Sequence, residues 1–148
     1  MTVFENVLVG ATFGRRGATD PQARAAEVLH LTGLARRAND RAGALTLLER
    51  KRLELARALA TDPDLLLLDE IAGGLTDREC QALLDAIRAV HATGVTVVWI
   101  EHVVHALLSV AQRLIVVDFG RKIADGPPAE VLASKDVQSV YMGAEEHV

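Results

Sequence analysis

The sequence predicts an α/β fold in which a helical front is followed by parallel strands covered by helices. Three observations predict it. Up to residue 62, apolar residues recur at helical spacing between capping residues and turns. After Pro63, short apolar runs alternate with amphipathic segments: Leu65 to Leu68, Val95 to Ile100 and Leu114 to Val117. That alternation builds a parallel sheet with helices on its faces. The runs are nearly all apolar, which is what burial on both faces demands.

The 148 residues are 50% hydrophobic, 24% charged and 3% aromatic, which fits one domain and excludes a disordered or collagen-like chain. Cys80 stands alone, so neither a disulfide framework nor a cysteine-built zinc site is available. The formal net charge of -4 gives no general attraction to nucleic acid. Phe4, Phe13, Trp99, Phe119 and Tyr141 are scattered and make no base-stacking platform. The start, MTVFENVLVGATFGRR, lacks the basic n-region of a signal peptide, and no apolar run reaches membrane-span length. A cytosolic chain without nucleic-acid partners or a direct membrane span is expected.

Each element has a local cause. Thr2 to Gly10 is a short apolar helix closed by glycine, and Phe13 to Thr19 is a basic loop. Asp20-Pro21 opens a helix with an N-cap acid and a proline at its first position. Ala25, Val28, Leu29 and Leu31 suit one face, and Gly33 ends it. Arg36 to Gly43 is polar and loop-like. Thr46 to Thr61 is helical, with Leu48, Leu53, Leu55, Ala56 and Leu59 on its apolar side. Asp62-Pro63 breaks it before the strand Leu65–Leu68. Thr76 caps a helix to Ala92, with Glu79 at capping-box spacing and Gly94 as its stop. Val95 to Ile100 is a strand and His102 to Gln112 a helix. Leu114 to Val117 turns through Asp118–Arg121 into a return strand from Lys122 to Ala124. Ala129 to Ser134 and Val137 to Met142 are short helices, with a frayed tail from Glu145.

Two strands end alike. Leu65–Leu68 runs into Asp69-Glu70, and Val95–Ile100 runs into Glu101-His102. In a parallel sheet these ends share one edge, where open α/β sheets bind ligands. The first acid can hold Mg²⁺, usually through water, while nucleotide phosphates supply other ligands. The second can polarise a water against the terminal phosphate, and the imidazole can hydrogen-bond that phosphate. Taken singly, the two acids can equally well terminate a strand, and His102 can be a plain helix-start residue.

The stretch LELARALATDPDLLLLDEIAGGLTDRE resembles the ATP-binding subunits of ABC transporters. The resemblance implies a partial P-loop NTPase-like cassette fold and covers nearly the whole chain. By it, Asp69 ends the Walker B strand and holds Mg²⁺, Glu70 is the catalytic carboxylate, and His102 is the switch histidine. Gly74, Thr76 and Asp77 belong to the D-loop that crosses to a second ATP-binding subunit. ENVLVGA, RLELARALA, IEH and IADGPPAEVLASKDVQSVYMG look like the branched-chain amino acid uptake cassettes. ATP and Mg²⁺ are the implied cofactors. Transmembrane permease subunits and a second cassette are the implied partners, at the inner face of the plasma membrane. The chain divides on this reading into a helical signature-type part (1–62), an α/β core (63–126) and a C-terminal helical extension (127–148).

Departures from the family pattern matter as much. A phosphate-binding loop needs G-x-x-x-x-G-K-S/T. Lys51, Lys122 and Lys135 are the lysines, and none sits in that pattern. Gly10 to Arg16 imitates it with wrong spacing and no lysine. MTVFENV aligns just after the family's glutamine loop, so the Walker A loop and the adenine-stacking aromatic have no counterpart here. The family's signature L-S-G-G-Q stands here as Leu45-Thr46-Leu47-Leu48-Glu49. Thr46 keeps a hydroxyl, but Leu47 and Leu48 obstruct an approach that glycine permits, and Glu49 adds an acid. A plain helix start explains this stretch as well. Ile71 replaces the usual proline after the catalytic Glu.

The expectation is therefore a truncated, inactive ATPase subunit of a branched-chain amino acid importer, poorly soluble alone because its sheet lacks a strand. The alternative is a non-enzymatic module that binds a permease or another cassette. A third possibility is an unrelated α/β domain of receiver or flavodoxin type, against which the LELARALA helix before the Asp-Glu strand speaks.

Overall fold

A computed structural model describes residues 1–14 and 18–143. Arg15, Arg16 and Gly17 of the expected basic loop, and the tail from Ala144, lie outside the described residues. The chain forms two compact units, Met1–Ala106 and Leu107–Val148.

The first unit begins with α1 (Val3–Phe13), α2 (Pro21–Leu31) and α3 (Leu47–Ala60). Thr2 caps α1 through a reciprocal box with Glu5, Asp20 accepts the Ala23 amide at the start of α2, and Thr46 forms a box with Glu49 at α3. The amides of Val3 and Phe4 donate to the carbonyls of Asp40 and Ala38, which satisfies two orphan donors of α1's first turn. Val3, Val7, Ala11, Ala25, Val28, Leu29, Leu53, Ala56 and Leu59 share one core.

Gly10 does not close α1, as expected, but lies within it. A Cβ there would stand 2.7 Å from the Arg57 carbonyl oxygen of α3. The glycine permits two helices to meet at backbone distance, a tertiary reason invisible in local propensity. Between α2 and α3, the expected polar loop holds two 3₁₀ turns, Ala35–Arg37 and Ala42–Ala44.

After the Asp62-Pro63 break come β1 (Leu65–Asp69), α4 (Asp77–Ala92) and β2 (Thr96–Ile100). β1 and β2 pair in parallel, with Leu65 opposite Thr96 and Asp69 opposite Ile100. Leu66 and Leu68 enter the core with Leu83, Ala86, Ile87 and Val90 of α4.

Burial on both faces does not hold. Leu65 (49%), Leu67 (70%), Val98 (48%) and Ile100 (64%) are exposed on the opposite face. Among the described residues, helices cover one face of the pair, so the apolar alternates of both strands meet solvent. Among the described residues the parallel arrangement is confined to this pair. The helix expected from His102 to Gln112 shrinks to α5 (Val104–Leu108), because β-branched Val103 and Val110, with Ser109, are weak helix formers.

In the second unit, β3 (Leu114–Asp118) and β4 (Arg121–Gly126) form an antiparallel hairpin, followed by α6 (Pro128–Ala133) and α7 (Lys135–Gly143). Phe119 and Gly120 turn it with φ of 43° and 75°. The Arg113 guanidinium donates twice to Asp125, at 2.7 and 2.9 Å, and Lys122 Nζ adds a third bond at 2.8 Å. The paired guanidinium, then the lysine, hold the Asp125 carboxyl well below the usual carboxylate range.

Candidate active site

The site lies at the C-terminal ends of β1 and β2. Asp69 is the last residue of β1 and is exposed. Glu70 leaves the strand with φ of 45°, left-handed backbone that L-residues rarely adopt. Its amide still donates to the Ile100 carbonyl at 2.9 Å, so the parallel ladder extends one residue beyond the strand. This turn carries the exposed Glu70 side chain toward β2. Its Oε1 lies 3.9 Å from His102 Nδ1, and both side chains are well exposed.

Glu101 sits differently. Its side chain is 0% exposed, one oxygen accepts the Ala72 amide at 3.3 Å, and the other lies 3.6 Å from His102 Nδ1. Three side chains from two strand ends thus converge. Sequence reasoning placed Glu101 at this edge but gave it no role; its signal was the Glu-His dipeptide directly after a buried strand.

The turn from Glu70 to Thr76 contains Gly73 and Gly74. Gly74 has a φ of 78°. Thr76 caps α4 with Glu79, whose carboxyl is held below its usual range by the Thr76 backbone and hydroxyl donors. Asp77, at the first position of α4, lines an open cleft of about 400 Å³ with Cys80, Gln81, Leu84 and His105. Burial pushes the Cys80 thiol up, and the charges of Glu101 and Asp77 add to that.

The Thr46–Glu49 stretch starts α3. Glu49 accepts the Thr46 amide at 2.9 Å and pairs with Arg37, whose Nε lies 3.1 Å from Oε1. The Thr46 backbone donor, opposed by partial burial and aided by the Arg37 charge, lowers its carboxyl. The acid is occupied by its own helix cap. Leu47 reaches the turn after β1, within 3.3 Å of where a Gly74 Cβ would stand.

The donors present suit a hard cation. Asp69 and Glu70 offer exposed carboxylate oxygens at the end of β1. That set fits Mg²⁺, which keeps several waters and takes one or two carboxylates beside phosphate oxygens, better than a structural metal.

The helical unit and the parallel β-α-β with acids at its strand ends superpose on solved ATP-binding cassettes, which gives the chain a partial P-loop NTPase-like fold. A family model described as ABC transporter matches residues 1–73, and one described as branched-chain amino acid ATP-binding cassette transporter matches residues 121–147. The chain is similar to the ATP-binding proteins of ABC transporters over nearly its whole length.

The high-affinity branched-chain amino acid transport ATP-binding protein LivG of Salmonella typhimurium is 35% identical over 97% of this chain and 62% of its own length. The corresponding protein BraF of Pseudomonas aeruginosa is 36% identical over 87% of the chain and 51% of its own length. The chain thus spans about three fifths of the LivG relative. A nucleotide-free ATP-binding cassette from an ABC transporter superposes with a TM-score of 0.81 at 24% identity, covering 95% of this chain and 62% of that one. The ADP conformation of another cassette gives 0.79 at 25% identity, covering 97% and 63%. Among the described residues, no helix is long and apolar enough to cross a membrane.

Proposed function

We propose that these residues form the water-activating part of an ATP-driven importer subunit serving branched-chain amino acid uptake. The observation that carries this reading is the approach of Glu70 and His102, 3.9 Å apart at the edge where Asp69 also ends its strand. Glu70 is the base that orients and polarises water. Asp69 holds Mg²⁺ through its hydration shell, and His102 hydrogen-bonds a terminal phosphate oxygen. Bound MgATP would supply the phosphoanhydride to be split. The turn Gly74–Asp77 faces a second cassette, residues 1–62 face permease subunits, and the protein works at the inner face of the plasma membrane. Residues 63–126 carry the chemistry and 127–148 are an extension of the branched-chain type.

The 148 residues contain no G-x-x-x-x-G-K-S/T. Phosphoryl transfer depends on positioning and electrostatics, so without that cradle they bind ATP weakly and turn it over negligibly. The test is ATPase activity of the chain alone and of the chain joined to the phosphate-loop portion of LivG. No turnover alone, and turnover in the joined protein that Glu70→Gln abolishes, are expected. Turnover by the isolated chain would overturn the first half, and an active Glu70→Gln joined protein the second.

A second reading, a non-enzymatic module that docks on a permease or another cassette, has its own support. Thr46–Glu49 is closed by its cap and by Arg37, leaving no glycine-lined approach for phosphate. Permease binding without any nucleotide binding would favour it.

A further inference from the structure

A buried carboxylate oxygen needs a partner, and the Glu101 side chain leaves one open. Its Oε2 accepts the Ala72 amide at 3.3 Å, while its Oε1 is fully buried without a hydrogen bond. Such an oxygen loses its water without gaining a partner, which costs stability, more so when charged. His102 Nδ1 lies 3.6 Å away, just beyond hydrogen-bond range. Catalytic contacts are commonly long before a ligand is bound and tighten on binding.

We propose that Glu101 is a positioning residue that binds the turn after Glu70 with one oxygen and the His102 ring with the other. The Ala72 bond fixes the Glu70–Ala72 turn, whose first residue already holds strained left-handed backbone. The second oxygen takes the Nδ1 proton, sets the tautomer, and leaves Nε2 of the exposed ring for the ligand. One buried side chain thereby keeps the base and the phosphate-sensing imidazole in register. Glu70, Cys80 and Asp77 are the other titratable groups around this pair: Glu70 Oε1 lies 3.9 Å from the same Nδ1, farther than the Glu101 oxygen and exposed to water, while Glu101 and Asp77 both act on the Cys80 thiol. The thiol is a weak donor and does not replace the imidazole as partner. The proposal takes Glu70 and His102 in the roles given above.

The ring tautomer tests it without relying on turnover. The full chain is labelled with ¹⁵N-histidine and read by magic-angle-spinning NMR, which tolerates self-association, at alkaline pH where imidazoles are neutral. His102 is assigned by loss of its signal in His102→Asn. In the unaltered chain the Nδ1–H form should exceed Nε2–H by about tenfold, the worth of one charge-assisted hydrogen bond. In Glu101→Gln the carboxamide oxygen must stay on the Ala72 amide, a fixed donor. Its NH₂ then faces Nδ1, which must offer a lone pair, so the proton moves to Nε2. In Glu101→Ala the Ala72 amide should exchange about tenfold faster, whereas Glu101→Gln keeps it within about twofold.

A predominant Nε2–H ring in the unaltered chain overturns the proposal, whether or not any variant folds. An unchanged ring in Glu101→Gln overturns it as well. An inactive joined protein with the expected tautomers would defeat the catalytic reading and leave the positioning intact.

Discussion

Leu47 reaches the turn at Gly74: its Cδ2 lies 3.3 Å from the point a Gly74 Cβ would occupy. The first residue of α3 is thereby packed against the stretch that leads to Thr76 and Asp77. A backbone φ of 78° makes the glycine doubly necessary. Gly74→Ala is expected to destabilise the first unit by about 1–2 kcal/mol through the left-handed conformation. Leu47→Ala in the same background should recover little, since the strain is in the backbone and the leucine end can swing aside. Urea melts of the single and double variants distinguish the two sources, and full recovery by Leu47→Ala would show the contact to be the cause.

Gly10 offers a sharper case. A Cβ there meets the Arg57 carbonyl at 2.7 Å and Ala60 Cβ at 3.1 Å, neither of which can rotate away. Overpacking of this kind costs about 1–3 kcal/mol. Gly10→Ala should therefore lower the Tm of the first unit, although alanine has the better helix propensity and would raise it by that measure alone. A higher Tm would mean that α1 and α3 are not in backbone contact.

Helix starts were legible in the sequence because they depend on neighbours in the chain. Thr76 with Glu79 and Asp20 with Pro21 cap where their spacing says they should, and Thr46, at the start of an expected helix, caps α3. Gly10 reads as a stop because its partner, Arg57, lies in another helix, and helix contacts leave no local signature. The strands were recognisable from their apolar runs, but an apolar run reports a capacity for burial and not what covers it. Hence Leu67 and Ile100 read as core residues and stand in solvent. At the site, parallel pairing alone implied that Glu70 and His102 would meet. The burial of Glu101 was beyond reach, because it depends on which way one side chain turns off the strand end.

The bare face of the β1–β2 pair sets the solution behaviour of these residues. Leu65, Leu67, Val98 and Ile100 form contiguous apolar surface on short strands, a surface prone to association. The isolated chain should self-associate at micromolar concentration in light scattering or ultracentrifugation. The pair Leu67→Glu and Ile100→Lys, on the two most exposed of these positions, should shift it toward monomer while leaving the helical circular dichroism intact. A chain that is already monomeric would contradict this, as would a double variant that loses its helical signal.

The Asp125 cluster gives the second unit an acid-sensitive latch whose sign follows from its ion pairs. Arg113 donates twice and Lys122 once to this carboxylate, and together they depress its pKa in the folded state. A group with a depressed folded pKa stabilises above its unfolded value, near 3.9 for aspartate, and loses that contribution as pH falls toward the folded value. Hydrogen exchange of the β3–β4 amides should therefore be slow and flat at neutral pH, after correction for the intrinsic rate. Protection should fall as the pH drops below about 4. Asp125→Asn should weaken protection at pH 7 and remove this acid-dependent part. The pairs are at the surface, so added salt should also erode the difference between the two proteins. Equal protection of both proteins at pH 7 and low salt would mean that the guanidinium and ammonium groups add nothing to the hairpin.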